Sequence, residues 1–246
     1  AQATEDLVHE LRDEVIAPAL EGTGAVAKLG GPTPSFIDQS EYLQSKLLLF
    51  VSGVVLLSLL ILLAAFRSPL IALKAGVMNM LSVGAAYGVM TMAAQGGWFG
   101  QLVGVDSAVP IPPFIPVITF AILFGLSMDY EVFLMSRVRE EYLKGAETHD
   151  AVTIGLARTA RVITAAAAIM VAVFMSFALS PETFLRIMGI GMATAVLVDA
   201  TIVRLVLVPA VLQLLGAANW WIPGWLDRLL PEWQLEGESA PAPAES

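Results

Sequence analysis

The stretch IPVITFAILFGLSMDYEVFLMSRVREEY, Ile115 to Tyr142, decides the fold. It opens as an apolar run long enough to enter a bilayer, then places Ser127, Asp129, Tyr130 and Glu131 inside that run. Arg137, Arg139 and the acids that follow read as a water-facing end. Counting back from Arg137, Asp129 lies about 12 Å along a helix at 1.5 Å per residue. That depth is near the middle of a hydrocarbon core about 30 Å thick. A charged side chain there costs several kcal/mol, so it is a functional candidate by default.

Outward from this stretch, the composition agrees. Of 246 residues, 57% are hydrophobic and only 14% charged, against roughly a quarter charged in soluble domains. The apolar residues come in long blocks, which predict spans at about 47–66, 75–94, 114–136, 162–179 and 185–215. Residues 137–161 read as a helical connector along the membrane surface. Residues 216–246 read as a cytoplasmic interfacial segment carrying Trp220, Trp221 and Trp225, followed by a disordered acidic tail. Residues 1–46 read as the end of a periplasmic, porter-like domain: a helix over Thr4–Leu20, a short strand at Ala25–Leu29 and a turn at Gly30-Gly31-Pro32.

Arg67, Lys74, Arg137, Arg139, Lys144, Arg158 and Arg161 mark one side of the membrane, while the loop at 95–113 has no Lys or Arg. The basic side is expected to be cytoplasmic, with the N-terminal segment outside. An exported segment without a signal needs an upstream span, so the chain is expected to be the C-terminal piece of a larger transporter-like protein.

The chemistry centres on Asp129. Burial disfavours the charged form of a carboxyl, which suits this group to load and release protons. Tyr130 can donate to the carboxylate of a facing helix, and Ser127 can bond locally. The bland reading is a structural bond between helices. Asp199 and Arg204 are five residues apart, too far around an ideal α-helix to share a face. Asp199 therefore either faces Asp129 or bonds to neighbouring hydroxyls. Arg204 reads as a snorkelling or pairing residue, and Glu131 as the partner of an inner basic residue. The Gly84/Gly88 spacing reads as helix packing. The chain has no cysteine, no phosphate-cradling loop, no metal-ligand spacing, no nucleophile–base arrangement and nothing that suggests nucleic-acid binding. No cofactor is expected beyond a proton gradient, and no enzyme.

GLSMDYEVFLMSRVREEY (Gly125–Tyr142) resembles the second-half signature of the MMPL family in the resistance–nodulation–division (RND) superfamily. LGGPTPSFIDQS (Leu29–Ser40), FRSPLIALKAG (Phe66–Gly76), LVDATIVRLVLVPAVLQLLG (Leu197–Gly216) and NWWIPGWLDRLLP (Asn219–Pro231) extend the resemblance over nearly the whole chain. It implies an all-α polytopic membrane protein with five transmembrane helices, spans eight to twelve of twelve, and a small remnant of an α/β periplasmic domain. It further implies proton-driven export of lipids or other hydrophobic metabolites, with membrane lipids and the N-terminal half as partners. Asp129 and Tyr130 match the family's proton-relay motif, which faces a counterpart in the fourth span. Asp199 matches the last-span motif, and Ser127 and Arg204 are candidate accessories. Ala217 and Gly224 depart from the family pattern, where basic residues are common. A non-transporting sterol- or lipid-sensing receptor of the same architecture is the alternative expectation, and a purely structural subunit a weaker one.

Overall fold

A computed structural model describes residues 2–228. Helix α1 (Gln2–Glu10), a π-helical segment (Leu11–Ile16) and α2 (Ala17–Leu20) form a short helical arm outside the spans. The arm is tied to the next helix, α3 (Pro32–Phe66), by a bidentate Arg12–Asp38 ion pair and by His9 to Glu41 at 3.0 Å. The Asp38 carboxylate, hydrogen-bonded to Arg12, holds the guanidinium pKa above its ordinary value. Ala25–Leu29 has no regular structure, and no strand forms among the described residues. The expected strand has no neighbour there to complete its ladder, which is what a strand requires.

Helix α3 begins at Pro32, whose fixed φ suits a first helical position, and runs unbroken into the apolar block. It stops at Arg67, in the left-handed conformation. Ser68 then caps α4 (Pro69–Ala94), accepting from the Ile71 N–H at 3.2 Å, with Pro69 at the first turn. The short α5 (Trp98–Leu102) is followed by α6 (Phe114–Leu143), α7 (Thr148–Phe177) and α8 (Thr183–Val198). A second π-helical segment (Asp199–Leu207) leads into α9 (Val208–Leu215), a 3₁₀ turn (Gly216–Trp220) and α10 (Gly224–Asp227). The helices α3, α4, α6 and α7, with the continuous run Thr183–Trp220, are each long and apolar enough to cross a membrane. The protein is an all-α, multi-pass membrane protein.

The expected surface connector over 137–161 is not a separate element. Residues 137–143 continue α6, a tight turn at Gly145 reverses the chain, and 148–161 already belong to α7. Their i,i+3 and i,i+4 charge pairs, Arg137–Glu140 and Lys144–Glu140, support a helix that projects past the apolar block. The tail expected at 229–246 lies outside the described residues.

Small residues set the closest approaches. A Cβ on Gly155 of α7 would sit 2.7 Å from Val138 Cγ2 of α6, and one on Gly189 of α8 would sit 2.6 Å from the Phe174 carbonyl oxygen of α7. Gly84 and Gly88 were expected to pack, yet a Cβ at either would meet nothing within 4 Å, and both lie on an open face of α4. Three apolar clusters stack along the bundle, around Leu62, Met135 and Leu212, around Phe120, Phe124 and Met192, and around Met90, Ile115 and Ile187. A polar layer interrupts them.

Candidate functional site

That layer is built by α4, α6 and the π-helical segment. Asn79 and Ser82 are one turn apart on α4, Ser127 and Glu131 one turn apart on α6, and all four are buried. Asp199 and Arg204 come from the π-helical segment, with Arg204 only 1% exposed. Ser82 Oγ donates to Asp199 Oδ1 at 2.9 Å, and Ser127 Oγ lies 3.0 Å from the same oxygen and 2.6 Å from Asn79 Oδ1. A hydroxyl has one proton. The set is satisfied when the Asn79 amide is turned so that its nitrogen donates to Ser127 and Ser127 donates to Asp199.

Arg204 Nη2 donates to Asp199 Oδ2 at 2.7 Å and to the Ser127 carbonyl at 3.1 Å. The five-residue spacing was expected to keep Asp199 and Arg204 apart, and here it joins them. In a π-helix the backbone hydrogen bonds run from i to i+5, so the turn widens and residues five apart share a face. Val208 N–H bonds to the Val203 carbonyl in this pattern, and Pro209 directly after it has no N–H to restore the α-helical ladder. A π turn also exposes backbone irregularity inside the bundle, a feature common at functional sites.

A second buried ion pair lies beside the first. Lys74 Nζ meets Glu131 at 2.8 Å with both side chains 3% exposed. The expected basic partner of Glu131 is thus Lys74, drawn inside the bundle from a position that reads as a loop residue. Arg204 and Lys74 balance Asp199 and Glu131, so the buried layer is neutral as a whole.

Asp129 stands apart from this layer. Ser127 and Glu131 turn inward, and Asp129 between them is on the exposed side of α6, with no hydrogen-bond or ion-pair partner among the described residues. Asp199 does not face Asp129; it bonds to hydroxyls and to Arg204. Tyr130 is half-buried, its ring 5.2 Å from the Arg204 guanidinium carbon and its hydroxyl 3.6 Å from Met170 Sδ. The structure therefore brings Ser127, Tyr130, Asp199 and Arg204 together and leaves Asp129 on the adjoining outer face. Ser82 and the buried role of Lys74 were not singled out from sequence. The signal for Ser82 is its spacing three residues after Asn79, which places two polar side chains on one side of α4.

A sequence model of the MMPL family matches residues 1–235. The chain belongs to the MMPL family. It is 41% identical over 234 residues to the mycolic acid-containing lipids exporter MmpL11 of Mycolicibacterium smegmatis, covering 95% of this chain and 24% of that protein. It is 43% identical over 217 residues to the heme uptake protein MmpL11 of Mycobacterium tuberculosis, covering 87% of this chain and 22% of that one. With the trehalose monomycolate exporter MmpL3 of Mycobacterium tuberculosis it shares 37% identity over 208 residues, covering 84% and 22%. This MMPL chain therefore spans about a quarter of the length of these curated relatives.

Proposed function

We propose that this chain forms part of a lipid exporter driven by the proton-motive force, with Asp129 as the protonatable carboxylate and Tyr130 beside it. The observation that carries the reading is Asp129 itself, a carboxylate midway along a spanning helix, without a partner among the described residues. An unpaired carboxylate in hydrocarbon is costly, and taking up a proton removes that cost. The buried Asp199–Arg204 and Lys74–Glu131 pairs are already neutral, so a proton added to either would leave a cation uncompensated. Asp129 is the group for which protonation relieves charge.

The exposed face holding Asp129 suits the N-terminal half of the same transporter, as the short coverage of the relatives favours. The lipid substrate follows from relatives named as exporters of mycolic acid-containing lipids and trehalose monomycolate. The N-terminal arm would be extracytoplasmic and the C-terminal tail cytoplasmic, from the distribution of basic residues. The test is lipid export by membrane vesicles carrying the full-length protein. Flux should collapse with an uncoupler and fall by roughly two orders of magnitude or more in Asp129→Asn, the scale of a lost proton-transfer group. Flux that survives both would overturn the relay, and lipid binding without any flux would overturn export.

A further inference from the structure

We infer that the Trp98 end of the bundle holds one anionic phospholipid of the surrounding bilayer, with its acyl chain in a groove beside α8 and its phosphate on Arg186. The groove has a volume of about 200 Å³ and lies between the proline-rich loop ahead of α6 and the first turns of α8. Ile111, Pro112 and Ile115 form one wall, and Thr183, Phe184 and Ile187 the other. Thr183 is the single polar side chain in its lining. An ordered water needs two to four polar partners, which this groove does not offer, whereas a methylene chain needs none.

The bilayer supplies such a chain. Trp98 and Leu102 of α5, each 74% exposed, and Leu179 after α7, 86% exposed, lie at the same end of the bundle. Exposed aromatic and apolar side chains at the ends of spans sit at the membrane–water interface, the level of the lipid phosphates.

Arg186 provides the charge. It follows Thr183 by three residues and precedes Ile187, so it adjoins the groove on the surface of α8. Its Nε and Nη2 donate to the Ser180 carbonyl at 3.2 and 2.9 Å, and Nη1 donates to the Gly104 carbonyl at 2.7 Å. Gly104, at φ +78°, brings its carbonyl in where a Cβ would collide with the guanidinium. The side chain is thus held in place by dipoles alone. Asp106 and Glu182 are exposed at this end, yet among the described residues neither forms an ion pair with Arg186. A guanidinium has five N–H donors, so two remain for the oxygens of a phosphate. The N-terminal end of α8 adds its partial positive charge. Free phosphate would answer the charge and leave the groove empty, and a neutral lipid would do the reverse. One anionic phospholipid does both. It is a resident of the bilayer and not cargo, so its binding is independent of the exporter reading.

The test is native mass spectrometry of the full-length protein in detergent with added palmitoyl-oleoyl phosphatidylglycerol. One lipid per protein should be retained, and diacylglycerol, which lacks the phosphate, should not. Arg186→Gln should weaken retention about tenfold, the scale of one lost hydrogen bond between charged groups. Ile111→Trp, which fills the groove and leaves every bond of Arg186 in place, should weaken it as much. Equal retention by wild type and Ile111→Trp would overturn the groove, as would displacement of the lipid by millimolar inorganic phosphate. Equal retention of diacylglycerol and phosphatidylglycerol by the wild type would overturn the role of Arg186. Should Arg186→Gln fail to fold, Arg186→Lys keeps the charge and should keep the preference for phosphatidylglycerol; loss of that preference in a folded Lys variant would overturn the charge-based site.

Discussion

At the scale of single residues, the informative contrast is between the buried charges that are paired and Asp129, which has no partner among the described residues. Lys74 and Glu131 are each 3% exposed and 2.8 Å apart, so neither can lose its partner without leaving a bare charge in the bundle. Removing one member of such a pair costs about 3–5 kcal/mol, whereas replacing both by apolar residues of similar volume is close to neutral. Lys74→Met should therefore sharply lower the thermal midpoint of the protein in detergent. Adding Glu131→Met to it should restore most of the loss. A double variant no better than the single one would show that the pair contributes through something other than charge compensation. Asp129, with no such partner among the described residues, should tolerate Asn with little change in the midpoint, which separates its role in flux from a role in folding.

Among the elements, α6 does the most to shape the site, because opposite sides of it carry different chemistry. Ser127 and Glu131 face the bundle, and Asp129 faces away. Its inner side is held against α7 by Gly155, where a Cβ would come 2.7 Å from Val138 Cγ2 and 3.0 Å from the Val138 backbone nitrogen. A backbone neighbour cannot step aside as a flexible side chain can. Gly155→Val should force α6 and α7 apart at a cost of about 1–3 kcal/mol, as overpacking does. Gly84→Val, on the open face of α4, should be nearly silent in this chain and is the control. Equal losses in both variants would show that the open face of α4 is packed in the full protein. The π-helical segment works at the same scale, since an α-helical turn there would carry Arg204 away from Asp199.

For the molecule as a whole, the bundle presents long apolar faces, with Leu48, Leu49, Leu56, Leu57 and Leu60 of α3 all more than half exposed. In water such a surface would aggregate; in a bilayer it is the surface that lipid, or further helices, must cover. Its two ends differ in chemistry. The Arg67 end gathers ion pairs, Arg67–Asp227 at 2.7 Å and Arg158–Glu141 at 2.5 Å, and a stacked Tyr142–Trp220 pair with centroids 4.4 Å apart. The Trp98 end carries the N-terminal arm, with its Arg12–Asp38 and His9–Glu41 ion pairs, and a loop over 95–113 that has no Lys or Arg. The proposed orientation puts the Arg67 end in the cytoplasm. The chain has no cysteine, so single cysteines report cleanly on it. In intact cells an impermeant maleimide should label Glu21→Cys, and should reach His149→Cys only after permeabilisation. The reverse pattern would invert the topology.

The sequence by itself determined the membrane class and the five spans, because apolar blocks of about twenty residues are written in linear order, and it pointed to the family through the motifs it resembles, Gly125–Tyr142 first among them. It also identified Asp129, Tyr130, Ser127, Asp199 and Arg204 as the residues to examine. What it could not determine was which of these meet. The pairing of Asp199 with Arg204 depends on a local π-helical turn that an ideal helical period does not contain. The inward turn of Lys74 depends on Glu131 waiting on another helix to neutralise it. The split between buried Asp199 and exposed Asp129 was settled only when α4 and α6 closed around the first of them. Spacing along a chain records what one helix can do alone; compensation of charge between helices is a property of the packed bundle.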